Sequence, residues 1–128
     1  MTTLSITSSL VAAFAASLVA LSLPVSLRRI KVGIPTGDAA DETLRRRIRA
    51  QCNFIEYVPI GLIALGLVEA SLASAWLVLA LGGTLAAGSA LHAAGMLGGV
   101  TPLRGIGMIL TYLMLLDSAA RLAASAFP

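Results

Sequence analysis

Four apolar runs divide the chain, at Leu4–Leu27, Arg47–Ala70, Ala73–Met96 and Leu103–Phe127. Each has at least the roughly 20 residues that a helix needs to cross the hydrocarbon core of a bilayer. The pattern predicts an all-α integral membrane protein, a four-helix bundle forming a single domain over residues 1–128. The stretch RRIKVGIPTGDAADETLRRR joins the first two runs, and its Gly33, Pro35 and Gly37 disfavour a continuous helix there. Only Ser71–Ser74 separates the second run from the third, which predicts a tight antiparallel hairpin. Gly98-Gly99-Val100-Thr101-Pro102 turns the chain into the fourth. No internal repeat suggests a duplicated half.

Composition agrees with the pattern. The chain is 58% hydrophobic and 12% charged with a mean hydropathy of +0.93, whereas soluble domains carry about 25% charged residues. The first run has no basic residue before it and no convincing A-x-A cleavage site, so it is expected to be a retained helix rather than a signal peptide. Helices in lipid gain little hydrophobic energy from one another, and an apolar chain of this size is expected to oligomerise.

The net charge of +3 is placed unevenly. Seven of the nine Lys and Arg lie between Arg28 and Arg49, and Arg104 falls in the other loop on the same side of a four-helix topology. This is a positive-inside distribution rather than a nucleic-acid surface, and it puts both of those loops in the cytoplasm and both termini outside. Arg121 is the exception, with Asp117 four residues earlier as a partner. Compact loops without sorting signals suit a bacterial inner membrane. Cys52 is the only cysteine, so neither a disulfide nor a metal framework is expected, and it is assigned to packing or to the lipid face. Residues 1–27 contain no acid, which argues against a small proton-coupled exporter.

Two stripes stand out. On the third helix Gly82, Ala86, Ala90 and Ala94 recur every four residues and allow close approach either within the chain or between subunits. On the second, Arg46, Arg49, Asn53 and Glu56 fall on one helical face. Ionisable groups cost about 2.5–3.5 kcal/mol at the centre of a membrane helix, so this face must meet protein or a polar cavity. Arg49 and Glu56 lie seven residues apart, about 10 Å along the axis, too far to pair directly. Either the arginines reach the headgroups while Asn53 and Glu56 bond within the bundle, or the stripe holds the two ends of a polar ligand. Pro59 cannot donate to the carbonyl of Ile55 and tends to kink the helix beside Glu56.

The run R-x-x-R-A-Q-x-N-x-x-E-Y-x-P, at Arg46, Arg49, Ala50, Gln51, Asn53, Glu56, Tyr57 and Pro59, resembles the signature of the membrane-associated proteins in eicosanoid and glutathione metabolism. That family includes microsomal glutathione transferases and the leukotriene and prostaglandin synthases. The four-helix layout, Arg28-Arg29 and the LHAAG and PLRGIGM segments extend the resemblance over nearly the whole chain. It implies a homotrimer with glutathione as cosubstrate, bound near the cytoplasmic side between subunits, and no metal. Arg49, Gln51, Asn53, Glu56 and Tyr57 are then glutathione-binding residues, with Arg28 or Arg29 contributing from the loop end. Arg104, at the start of the last helix, matches the arginine proposed to stabilise the thiolate, and Arg29 is its rival for that catalytic role. Where eicosanoid-forming members carry an arginine and two tyrosines on the third helix, this chain has Ser89, His92 and Met96, of which His92 can replace one hydrogen bond to glutathione.

The implied activity is a membrane-bound glutathione transferase or peroxidase acting on lipophilic electrophiles. The alternative is a non-catalytic trimer that binds a lipid or an anionic metabolite.

Overall fold

A computed structural model describes residues 4–38, 40–71 and 73–126. Four helices, α1 Ser5–Val32, α2 Glu42–Ala70, α3 Ala75–Gly98 and α4 Thr101–Ala126, form an up-and-down bundle, each long and apolar enough to span a membrane. Phe127, expected to close the last helix, lies outside the described residues. Helices α2 and α3 form the centre. α1 packs mainly on α2, α4 on α3 and α2, and α1 and α4 make no contact among the described residues.

The helices at the first connection are longer than hydropathy predicts, because polar turns continue the helix beyond the apolar run. α1 carries Arg28 and Arg29 as helical residues and ends at Gly33, whose φ of 69° is the left-handed cap that glycine adopts without strain. α2 starts five residues before the predicted Arg47, at Glu42. Its N-cap is Asp41, which accepts a hydrogen bond from the Leu44 N–H at 2.6 Å. At α3, Ser74 accepts from the Leu77 N–H and Gly99 closes the helix at φ 70°. Pro102 then sits in the first turn of α4, where its missing N–H is not needed.

Polar contacts at four places fix α1 along α2, one of them from Arg47 Nη1 to the Pro24 carbonyl at 2.9 Å. Glu69, near the end of α2, accepts from the Ile6 and Thr7 N–H groups at 3.0 and 2.8 Å and so caps α1, which has no side-chain cap of its own. Midway, the Gln51 amide donates to Ser22 Oγ at 2.7 Å. At the loop end Arg28 forks onto Asp41, with Nε to Oδ1 at 3.2 Å and Nη2 to Oδ2 at 2.7 Å. Arg121 pairs with Asp117 at 2.7 Å, as their spacing predicts.

Asp41 thus serves Arg28 and the α2 N-terminus together, and these hydrogen bonds hold its carboxyl below the usual carboxylate range. The folded protein therefore binds this proton less readily than the unfolded chain. Its contribution to stability is full above the unfolded carboxyl value of about 3.9 and disappears as pH falls through the lower folded-state value. Asp41→Asn is expected to lower the unfolding temperature in micelles at neutral pH, with the difference from the parent closing below about pH 4. A difference that persists unchanged at acidic pH would show that the carboxylate charge is not what matters.

The core contains Phe14, Phe54, Val58, Leu65, Leu85 and Met114 among others, with Phe14 and Phe54 in tilted contact at 5.7 Å between centroids. Glycine decides how closely α3 and α4 approach. A Cβ on Gly107 would meet the His92 nitrogen at 2.5 Å and the Gly88 carbonyl at 2.6 Å, and one on Gly95 would strike the Arg104 backbone. The predicted small-residue stripe is not the one that makes this closest contact. Gly82 is buried under Leu10 of α1 and Ala86 is half-buried, while Ala90 and Ala94 are exposed in the single chain.

Candidate functional site

The α2 stripe borders an open cavity on the side of the bundle, toward the end that carries the α1–α2 and α3–α4 connections. There Arg49, Cys52, Asn53 and Glu56 of α2 meet His92 and Met96 of α3 and Arg104 and Met108 of α4 around a cavity of about 560 Å³. Helical spacing explains the grouping. His92 and Met96 are four residues apart, as are Arg104 and Met108, so each pair shares a face of its helix. A smaller cavity of about 200 Å³ adjoins through Met96 and Arg104 and extends to Arg46, Gly99 and Thr101.

The charge on this cavity is not neutralised internally. Among the described residues no hydrogen bond or ion pair engages the side chains of Arg49, Glu56 or Arg104. Two guanidinium groups and one carboxylate therefore leave one net positive charge. Asn53 donates only to the thioether sulfur of Met108, at 3.0 Å, and sulfur is a weak acceptor. His92 is 6% exposed, and its Nδ1 is buried without a partner. A buried polar nitrogen left unpaired costs about 1–3 kcal/mol. The set can offer forked donors to a carboxylate or thiolate, an anion to an ammonium, and amide and imidazole groups to neutral polar atoms.

Of the residues singled out in the sequence, Arg49, Asn53, Glu56, His92 and Arg104 come together here. The others are placed elsewhere within this chain. Arg28 is paired with Asp41, and Arg29 donates from Nη1 to the carbonyls of Gly37 at 2.7 Å and Ile34 at 3.4 Å. Gln51 reaches α1, and the Tyr57 hydroxyl lies 3.3 Å from that of Tyr112, with the rings edge to face. Arg46 pairs with Glu42 at 2.8 Å. Two cavity residues escape the sequence reading. Cys52, assigned there to packing or lipid, is half-buried and lines the cavity, and Met108 sits one turn beyond Arg104, which was the available signal. Ser89 lies away from this cavity, on the α1 side of α3.

Because Gly107 brings α4 against His92 and Gly95 seats the Arg104 backbone, the glycines set the spacing of the cavity walls. Gly107→Ala is expected to destabilise the protein by about 1–3 kcal/mol through overpacking against α3 backbone, which cannot swing aside as a flexible side chain can. Denaturation in micelles reads this. Unchanged stability would mean that the two helices are free to separate.

Fold and cavity together define an integral membrane protein of four helices with an ionic cavity on the side of the bundle, toward one end. Residues 6–124 match the family model described as the MAPEG family, so the chain belongs to that family, whose members include glutathione-dependent transferases and peroxidases. Searches of curated proteins and of solved structures returned no match.

Proposed function

We propose that the protein is a glutathione-dependent transferase or peroxidase that acts on lipophilic electrophiles in the membrane. The observation that carries this reading is the convergence of Arg49, Asn53, Glu56, His92 and Arg104 on one cavity whose principal charges have no partner among the described residues. Glutathione carries two carboxylates, one ammonium and a thiol. In this reading Arg49 takes a carboxylate, Glu56 accepts from the ammonium, Asn53 and His92 bond neutral polar atoms, and Arg104 faces the thiol. A guanidinium beside the thiol favours the thiolate, which is the nucleophile. The thiolate then forms a thioether with an electrophilic carbon, displacing a leaving group or opening a ring. With a hydroperoxide it attacks the terminal oxygen, giving a glutathione sulfenic acid and, after protonation, the alcohol; the thiol of a second glutathione then attacks the sulfenic sulfur, forming the disulfide and releasing water.

Glu56 and Arg49 are exposed in the single chain, although Glu56 lies within a membrane-spanning helix. Lipid is an expensive neighbour for such groups. A homotrimer, the usual assembly of the family, covers them in this proposal. The faces of α1 and α2 that bear Arg28, Arg29 and Gln51 then complete the cavity of the adjacent subunit. The two connections near the cavity are placed on the cytoplasmic side of a bacterial inner membrane, in keeping with their arginines.

The test is titration of purified protein with glutathione, following thiolate absorbance in the ultraviolet. A saturable rise near neutral pH is expected. Absence of thiolate in protein that still binds glutathione or another anion would instead favour the non-catalytic reading, for which Met96 in place of a hydroxylated side chain is the supporting observation.

A further inference from the structure

A second cavity system lies between α1 and α3; its charged end shares Arg46 and Glu42 with the small cavity beside the ionic one, and the glutathione reading makes no use of its apolar part. The two helices touch near their outer ends, where Leu10 occupies the space beside Gly82. Beyond that contact they enclose a cleft of about 410 Å³, walled by Ala13 and Ser17 of α1 and Ala86, Ala90 and Ala93 of α3, with Phe54 of α2 also lining it. Through Ala20 and Leu21, which line both, it continues into a cavity of about 450 Å³ that includes Pro24, Thr43, Arg46, Arg47 and Leu97. The apolar part is therefore closed at one end and bounded by charged side chains at the other.

We propose that this cleft binds one anionic phospholipid, with an acyl chain lying between α1 and α3 and the phosphate at Arg47 and Arg46. Length supports the occupant: from Ala13 to Pro24 the helix rises about 16 Å, close to the depth of one leaflet, half of a hydrocarbon core about 30 Å thick. The walls support it as well. Alanines leave room for a chain, and of the two serines on the wall, Ser17 and Ser89, Ser17 turns its hydroxyl back to the Ala13 carbonyl at 2.9 Å. An empty cleft would forfeit dispersion contacts along its whole length, and a lipid tail restores them.

Charge selects the headgroup. Arg47 has no carboxylate partner among the described residues, and its one hydrogen bond runs from Nη1 to the Pro24 carbonyl at 2.9 Å. That leaves guanidinium donors free at the rim, in the fork geometry that suits phosphate. Arg46 and Glu42 pair with each other at 2.8 Å, so the rim as a whole is positive. A zwitterionic headgroup would bring its own cation to this rim, whereas an anionic one does not.

The assembled protein, purified in mild detergent, is tested by native mass spectrometry against phosphatidylglycerol and phosphatidylcholine of the same chain length. Retention of phosphatidylglycerol is expected to exceed that of phosphatidylcholine by about tenfold. Arg47→Leu is expected to bring the two to the same level, and Ala90→Phe, which fills the cleft, to reduce both. Ala93→Leu is the milder substitution should Ala90→Phe lower helicity or the unfolding temperature. Equal retention of the two lipids by the parent protein, or unchanged retention in the filled-cleft variants, overturns the proposal. So does a filled-cleft variant whose oligomeric mass changes while lipid retention does not, since the cleft would then be a contact between copies of the chain. Glutathione binding, measured alongside, is expected to be unchanged by Ala90→Phe, so failure here is distinguishable from failure of the enzymatic reading.

Discussion

Arg104→Leu is expected to lower turnover at pH 7 by about 25-fold, while binding of a thiol-blocked glutathione analogue changes much less. The figure follows from ionisation. A thiol brought from a pKa of about 8.5 to about 6.5 is roughly three-quarters ionised at pH 7, against about 3% without the shift. That shift corresponds to about 2.7 kcal/mol, within the roughly 1.5–3 kcal/mol of one charge-assisted hydrogen bond. Arg104 is placed for it: the fourth residue of α4, its backbone seated on Gly95, its side chain on the cavity and free of any internal ion pair among the described residues. The α4 N-terminus adds a smaller term of the same sign. Raising the pH is expected to recover part of the lost rate, because solvent then supplies the ionisation that the guanidinium had favoured. Arg29→Leu belongs in the same experiment. Its guanidinium holds the Gly37 and Ile34 carbonyls within its own chain, so its loss is expected to loosen the connection and leave the thiol pKa unmoved. A thiol pKa that moves with Arg29 and not with Arg104 reverses the assignment.

Glu56→Gln is expected to weaken glutathione affinity between ten- and a hundredfold while the bundle stays folded. The amide keeps the shape of the side chain and removes the charge set against the ammonium, and a charged hydrogen bond of about 1.5–3 kcal/mol converts to that range. Glu56 makes no hydrogen bond or ion pair among the described residues, so the substitution breaks no internal contact that would confuse binding with stability. Isothermal titration of the intact oligomer decides it. Unchanged affinity would remove Glu56 from the ligand and return it to a role in subunit packing.

The α2 half of the cavity was legible because 3.6-residue spacing alone puts Arg49, Asn53 and Glu56 on one face, whatever surrounds the helix. Helix number followed from apolar run length. Helix ends did not, because hydropathy marks where lipid ends and not where hydrogen bonding ends. The capping groups Gly33 and Asp41 were visible in the sequence, but they bracket polar turns that no apolar window includes. Cys52 and Gln51 show a different limit. They flank the stripe, and only the positions of α1, α3 and α4 decide that Cys52 opens on the cavity while Gln51 turns to Ser22. The closest helix contact was also missed. Gly88 and Gly95 look no different from Gly82 in the sequence, and it is their partners on α4, Gly107 for Gly88 and the Arg104 backbone for Gly95, that select them.

The polar contacts that run from Glu69 through Gln51 and Arg47 to Arg28 act as a ruler between α1 and α2. Sliding α1 by one helical turn, about 5.4 Å, would unseat all of them at once. The length of apolar surface that this pair presents is thereby fixed by side-chain chemistry and cannot adapt to its surroundings by slippage. In a bilayer thinner or thicker than that length, the mismatch has to be absorbed by tilting the whole bundle or by deforming the lipid around it.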